Sequence, residues 1–256
     1  MNILFIGDIS GRLGRRAVTE VLPEIIKKHK VDLVIANIEN ASSGDGVSVK
    51  AYDELRALPI DIFTSGNHIW QKREIYPTLE DKNELILRPI NYPDGTIGRG
   101  VWTKEIGTTK VAVVNVIGRI FMKEGIDDPF RATEKVLSEL KNHVVIVDFH
   151  AEATSEKRAF GFFLDGKVAA VLGTHTHVPT ADEQILPEGT AYISDVGFVG
   201  AHQSVLGVDK DIIVHNFMVK PNEIYEMGKG EAEFNAVLIE TNGLKAKSIS
   251  RIREMV

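Results

Sequence analysis

Val168-Ala169-Ala170-Val171-Leu172-Gly173-Thr174-His175-Thr176-His177 is a short, wholly apolar run that empties into two histidines one residue apart. Five consecutive apolar residues closed by glycine read as a buried strand, because a half-exposed strand would alternate apolar with polar. If the backbone stays extended past its end, His175 and His177 project to the same side about 6.6 Å apart, which suits two neighbouring metal ions. Two loop histidines with no ligand role are the ordinary alternative. The rest of the chain has to decide between them.

The same grammar recurs four times. Residues 3–7 are apolar and end in Asp8, 32–38 run into Glu39-Asn40, 60–64 into Ser65-Gly66-Asn67-His68, and 144–149 into His150-Ala151-Glu152. Amphipathic stretches separate them, with helices expected over 17–30 (Pro23 kinking or breaking it), 48–58, 131–141 and 154–164. A further helix is expected over 70–79, strands over 110–117 and 190–194, and a glycine-bearing loop over 195–207. Alternation over 234–240 and 244–252 about Asn242-Gly243 signals a hairpin. Strand, polar pair, helix, strand is the order of βαβ units, hence an α/β fold with mostly parallel central sheets flanked by helices.

In such sheets the carboxyl ends of the strands lie along one edge, where ligands bind. Asp8, Glu39, Asn40, Asn67, His68, His150, His175 and His177 would all gather there. Taken singly, Asp8 could cap a helix, Asn40 make a turn and His150 sit as a satisfied core residue. Their joint occurrence at five strand ends is much harder to explain that way.

Composition narrows the partners. A chain of 256 residues, 43% hydrophobic and 26% charged, suits a single globular domain spanning 1–256. The net charge of −6 disfavours long nucleic acids, and no apolar run approaches the roughly 18 residues of a membrane span. The N-terminus has neither the basic region nor the apolar length of a signal peptide, and with no cysteine the chain is compatible with a reducing cytoplasm. A homo-oligomer is left open. Any metal must be held by His, Asp, Glu, Asn or water.

Two divalent ions about 3.5–4 Å apart repel each other and need an anionic bridge, for which Glu39 is the natural candidate. Neutral imidazoles and amide oxygens then leave the pair net positive, able to attract a phosphate and acidify a shared water. A ligand set this rich in histidine suits Fe, Mn, Zn or Co better than Ca or Mg.

The series Gly7-Asp8, Glu39-Asn40, Gly66-Asn67-His68, Phe149-His150 and Gly173-Thr174-His175-Thr176-His177 resembles the calcineurin-like metallophosphoesterase superfamily. Its blocks run Asp-x-His, Gly-Asp-x-x-Asp, Gly-Asn-His, His and Gly-His-x-His. Two departures, Ser10 in place of a ligand histidine and Glu39-Asn40 in place of the bridging Asp segment, together with Gly7-Asp8-Ile9-Ser10-Gly11 and Asp195-Val196-Gly197, are similar to the bacterial YmdB-like branch. That branch is regarded as 2′,3′-cyclic-nucleotide phosphodiesterases. The resemblance implies one metal on Asp8, Glu39, Asn40 and His177, a second on Glu39, Asn67, His150 and His175, and His68 as general acid. It further implies in-line attack by a hydroxide shared by the metals, Fe or Mn foremost, on a small cyclic nucleotide or other phosphodiester, leaving a 3′-nucleotide.

A phosphomonoesterase or phosphoprotein phosphatase is the rival within the same chemistry; a regulatory nucleotide- or protein-binding protein is the rival outside it. His29, His143, His202 and His215 have no comparable setting, although His202 could line a substrate rim. Trp70 reads as core more readily than as a base-stacking ring. Arg12, Arg15 and Arg16 lie close enough to the first block to approach a phosphate or to form a solvated helix face.

Overall fold

The computed structural model describes residues 1–122, 125–220 and 223–256. The N-terminal apolar run is β1 (Asn2–Ile6), followed by β2 (Asp8–Ile9) and α1 (Gly11–His29). Next come β3 (Leu33–Asn37), α2 (Val49–Arg56), β4 (Ile62–Thr64), two single 3-10 turns (Asn67–Trp70 and Arg73–Ile75) and α3 (Tyr76–Glu80). The middle of the chain supplies β5 (Val101–Ile106), β6 (Thr109–Ile117), α4 (Pro129–Leu137), β7 (Val144–His150), α5 (Thr154–Leu164) and β8 (Ala170–Thr174). Short strands follow: β9 (Gln184–Ile185), β10 (Ala191–Ile193), β11 (Phe198–Ala201), β12 (Ser204–Val205) and β13 (Val208–Asp209). They lead to α6 (Lys210–Met218) and to the hairpin of β14 (Ala232–Asn242) with β15 (Lys245–Met255).

Two sheets result. The first has the order β2-β11-β14-β1-β3-β4, with β15 beside β14, and the second the order β5-β6-β7-β8-β10-β9. Parallel pairing runs through β1-β3-β4 and β6-β7-β8-β10, while β14, β5 and β9 pair antiparallel. Alternation within each strand divides the core. Ile3, Phe5, Leu33 and Ile35 meet Val111, Val113, Ile146 and Leu172 between the sheets. Their neighbours Leu4, Ile6, Val34 and Ala36 pack against Val18, Leu22, Tyr52 and Leu55 of α1 and α2. On the far side, Val145, Val147 and Val171 meet Phe160 and Leu164 of α5. The layers are helix, sheet, sheet, helix, and because both faces of β1, β3, β7 and β8 are covered these strands are buried throughout nearly their whole length and mainly apolar. No helix among the described residues is long and apolar enough to cross a membrane.

Buried polar clamps align the two sheets at their carboxyl ends. Asn115, the one polar residue in an otherwise apolar stretch, accepts from the Ser65 N–H at 3.0 Å and donates to the Ser65 carbonyl at 2.9 Å. Asn37 Nδ2 donates to Asp148 Oδ2 at 3.0 Å. These bonds tie β4 to β6 and β3 to β7, so both sheets open onto one site.

Several local expectations need correction. Pro23 neither breaks nor ends α1, which runs unbroken through 19 residues from Gly11. Burial of Ala17, Val18, Leu22 and Ile25 outweighs a helix-interior proline's cost of about 3 kcal/mol. The expected 70–79 helix is instead 3-10 turns and a short α3, because Pro77 has no N–H to donate and begins a new first turn. The 195–207 loop contains β11 and β12. β5 escaped notice because it is an edge strand with Thr103, Lys104 and Glu105 exposed in sequence.

Gly173 lies against the Ser194 carbonyl where β8 meets β10, and an added Cβ would collide with that oxygen. Gly173→Ala is therefore expected to destabilise the protein by about 1–3 kcal/mol, the usual cost of overpacking. A denaturant midpoint equal to wild type in an equilibrium unfolding experiment would refute this.

Candidate metal centre

Glu39 is placed by the turn at the end of β3. Asn37 Oδ1 accepts the Glu39 N–H at 3.1 Å, and the carboxylate points into the gap between the sheets with no exposure to solvent. Its Oε2 accepts the His68 N–H at 3.0 Å, and its Oε1 lies 3.1 Å from both His150 Nε2 and Asn40 Nδ2. Gly66 makes this possible, since a Cβ there would collide with the His150 ring and with Glu39 Oε2.

Three imidazoles converge on the same point, each with its outer nitrogen occupied. His150 Nδ1 is 2.9 Å from Thr174 Oγ1, whose own hydroxyl donates to Asp148 Oδ1 at 2.7 Å, so Nδ1 carries a proton. His175 Nε2 meets Glu152 Oε2 at 3.1 Å, and His177 Nδ1 meets the Leu206 carbonyl at 3.2 Å. A neutral imidazole has one donor and one acceptor, so each outward N–H leaves the inward nitrogen to take a cation, that of His150 once it gives up the proton it shares with Glu39. Metal-binding histidines are ordinarily oriented in this way.

The histidine pair is not extended, contrary to the expectation from its spacing. β8 ends at Thr174, and His175 and His177 have φ of 94° and 63°. Such backbone costs about 1–3 kcal/mol per residue and persists only where its surroundings hold it. Asp195 Oδ2 holds the residue between them, accepting from Thr176 N–H at 3.0 Å and Thr176 Oγ1 at 2.6 Å. Buried Lys157 in turn grips Asp195 Oδ2 at 2.8 Å. This support was missing from the residues singled out as a site. Its only signal was Asp195-Val196-Gly197, and nothing local pairs it with Lys157.

Asp8 follows β1, its Oδ2 accepting the His175 N–H at 3.2 Å. Its Oδ1 is 4.0 Å from His177 Nε2 and has no hydrogen-bond partner among the described residues. Asn67 Oδ1 approaches His150 Nε2 at 3.3 Å. Asn40 presents Nδ2 to His177 Nε2 at 3.1 Å, while its Oδ1 is 2.7 Å from His68 Nδ1. His68 itself is one-third exposed at the edge of a cavity of about 520 Å³ lined also by Glu39, His175, His177 and Tyr225. All eight residues singled out in the sequence thus surround one place. The others do not: Trp70 packs edge-on against Tyr76 and Tyr92, and His202 pairs with Glu233 at 3.3 Å.

Charge is unevenly compensated here. Burial pushes the Asp8 carboxyl well above the usual range, with Glu39, Asp195 and Asp148 adding to the rise against the pull of His150. Burial also opposes ionisation of Glu39, but His150, by charge and hydrogen bond, and then His68 and His175 hold that carboxyl well below the usual range. Burial would lower His150, yet Glu39, Asp8 and Asp148 raise it to about 9. Burial first, then the charge of His150, lowers His175 to about 3, and burial likewise lowers His177.

These donors fit a metal. Glu39, His150 and His175 offer atoms within 4.8 Å of one another, Asp8 Oδ1 is an unanswered buried oxygen, and the set holds nitrogen and oxygen without sulfur.

A sequence model of YmdB-like proteins matches residues 4–252. The chain belongs to the YmdB-like family. It is 40% identical, over 100% of its own length and 97% of the other's, to a Bacillus subtilis protein named 2′,3′-cyclic-nucleotide 2′-phosphodiesterase. A crystal structure described as a novel phosphatase from Mycoplasma pneumoniae is 33% identical, with a TM-score of 0.94, covering 100% of this chain and 93% of that one. At 10% identity and a TM-score of 0.55, covering 100% and 90%, the calcineurin-like phosphoesterase YfkN from Bacillus subtilis shares the fold. The YmdB-like chain therefore has the α/β calcineurin-like phosphoesterase architecture that the motif resemblance implied.

The His150 shift sets a pH dependence for the metal-free protein. Raised from 6.5 to about 9, the imidazole is protonated at pH 7, so a cation taking Nε2 must displace a proton. Calorimetric metal titration in buffers of different ionisation enthalpy is expected to show about one proton released at pH 7, fewer above pH 9. The same pair stabilises the metal-free fold fully below the ordinary histidine value and loses that contribution as pH rises through about 9. Proton release that is zero at pH 7 would contradict the assignment.

Proposed function

We propose that this chain is a dinuclear metal-dependent phosphodiesterase that opens 2′,3′-cyclic nucleotides to 3′-nucleotides. That it is a phosphoric ester hydrolase follows from its full-length likeness to the Bacillus subtilis enzyme. The observation supporting the finer reading is the convergence of three inward imidazole nitrogens and two buried carboxylates beside a cavity edged by His68.

In this reading Asp8, Glu39, Asn40 and His177 hold one cation and Glu39, Asn67, His150 and His175 the other, with Fe or Mn preferred and Zn or Co able to substitute. Bound there, the cations supply Lewis-acid chemistry, drawing in the phosphate and offsetting charge that develops on its oxygens. Glu39 serves both positions because one oxygen faces His150 while the carboxylate as a whole is anchored by the His68 N–H. Asp148, through Thr174, keeps His150 in the tautomer that leaves Nε2 free. Asn40 Oδ1 accepts the Nδ1–H of His68, so a protonated His68 presents its Nε2–H to the cavity, where it can pass to the departing 2′ oxygen. For Asn40 to offer Oδ1 to a cation its amide must turn over, so its ligand role and its hold on His68 alternate.

A second reading, phosphomonoesterase, is favoured by the neighbour described as a phosphatase. Faster release of inorganic phosphate from a monoester than turnover of a 2′,3′-cyclic nucleotide would establish it. The metal assignment is tested by Glu39→Gln, which removes the bridging charge and is expected to leave fewer than two metal ions per chain. Two tightly held ions in that variant would rule the bridge out. For His68→Ala, metal content is expected to stay near normal while turnover falls roughly 10²–10⁴-fold, as for loss of a general acid. The deficit should shrink with a substrate whose leaving group is already acidic; equal losses on both substrates would exclude the acid role.

A further inference from the structure

Positive charge is concentrated at the start of α1 and is only partly answered by acidic side chains. A helix's first turn favours anions, yet α1 has no acid there and carries Arg12, Arg15 and Arg16 in its first two turns. Arg15 is engaged by Glu54 at 2.6 Å, and Arg16 reaches Glu20 at 3.5 Å across an exposed face. Arg12 is exposed and has no partner among the described residues. In front of this turn opens a cavity of about 650 Å³ lined by Ser10, Arg12, Arg16, Tyr225, Glu226 and Lys229. Three cations there face one carboxylate, that of Glu226, which Lys229 already meets at 3.3 Å.

The second observation is Ser10. It occupies the N-cap of α1 but makes no side-chain cap bond, and it is only 2% exposed. Ser10 lines the cavity beside Gly207, where an added Cβ would meet its Oγ, and that hydroxyl has no hydrogen-bond partner among the described residues. That hydroxyl is left to the cavity's solvent, and an anion entering there would meet it together with the first-turn N–H groups of Arg12 and Leu13, the Gly11 N–H being taken by the Asn40 carbonyl at 2.9 Å. A merely solvated basic face would not call for an uncommitted hydroxyl at its base.

The cavity adjoins the metal centre. Tyr225 lines both cavities, and Ser43 and Gly207 on this side are chain neighbours of Gly44, Leu206 and Val208 on the other. We propose that the second cavity binds a phosphate on the 5′ side of the nucleotide whose 2′,3′-cyclic phosphate occupies the metal centre. Arg12, Arg16, Lys229 and Ser10 hold that phosphate, and the Tyr225 ring at the boundary faces the nucleoside. The inference rests on the cyclic-nucleotide reading and narrows it. The favoured substrate is a 5′-phosphorylated nucleotide, or a short oligonucleotide, ending in a 2′,3′-cyclic phosphate rather than the bare cyclic nucleoside phosphate.

The test compares three substrates: adenosine 2′,3′-cyclic phosphate, its 5′-phosphorylated form, and the adenosine dinucleotide ending in a 2′,3′-cyclic phosphate. Each is assayed with the wild-type enzyme and with the Arg12→Ala/Arg16→Ala double variant, whose changes lie on an exposed helix face and leave the core untouched. Wild type is expected to favour at least one of the two phosphorylated substrates by roughly tenfold in kcat/KM, through KM, with the preference falling as salt is raised. The double variant is expected to lose that preference. A gain with the 5′-monoester assigns a terminal phosphate, a gain with the dinucleotide an internucleotide one. No preference in wild type, or one that survives in the variant, overturns the subsite. If no cyclic substrate is turned over, the phosphodiesterase reading fails by itself, and calorimetric binding of 5′-AMP against adenosine decides the subsite. Tighter binding of 5′-AMP that is lost in the variant upholds it, and equal affinities overturn it.

Discussion

Asp8, Glu39 and Asp148 are buried without exposure inside one cluster, and the site is arranged around the charge they bring. A carboxylate taken out of water costs several kcal/mol unless donors or opposite charge meet it, about as much as a typical domain can spare. Asp148 is met by Asn37 and Thr174, and Glu39 by the His68 N–H and by His150. Asp8 has the His175 N–H and one oxygen left over. The buried ammonium of Lys157 is already committed to Asp195. A cluster with more buried carboxylates than its fixed positive groups answer is suited to taking up cations, and the inward nitrogens of His150, His175 and His177 point to where they would sit.

The fold delivers that cluster by simple means. The parallel strands β1-β3-β4 of one sheet and β6-β7-β8-β10 of the other bring five strand ends to a common edge, and Asn115–Ser65 and Asn37–Asp148 keep those edges aligned. Rigidity where the ligands stand comes from small residues and strain together. Gly66 and Gly173 let backbone approach where a Cβ would collide, and the Asp195–Lys157 pair holds Thr176 so that its two histidine neighbours can adopt left-handed backbone. Positions held this firmly suit a centre whose ligand atoms must not drift.

Much of this was legible from residue order. Apolar runs broken at most by a single polar residue (Asn37, Asp61, Asp148) located β1, β3, β4, β7 and β8, and the polar residues just past their ends are those the fold brings together, because period and punctuation are local properties. What was not legible depends on partners distant in the chain. The positive φ of His175 and His177 follows from Asp195, which is read only once Lys157 is seen against it. The orientation of the Asn40 amide depends on His68 and His177, which are 28 and 137 residues away. The edge strand β5 carries a charged face that mimics a loop, and β11 is too short to show a period. The unpaired Ser10 hydroxyl, too, exists only in three dimensions.

The central claim is that Glu39 stands between two cations. Anomalous diffraction from crystals grown with manganese measures this directly. Two peaks flanking the Glu39 carboxylate are predicted, one beside Asp8 and His177 and the other beside His150 and His175. A single peak, or manganese bound away from these side chains, would contradict it.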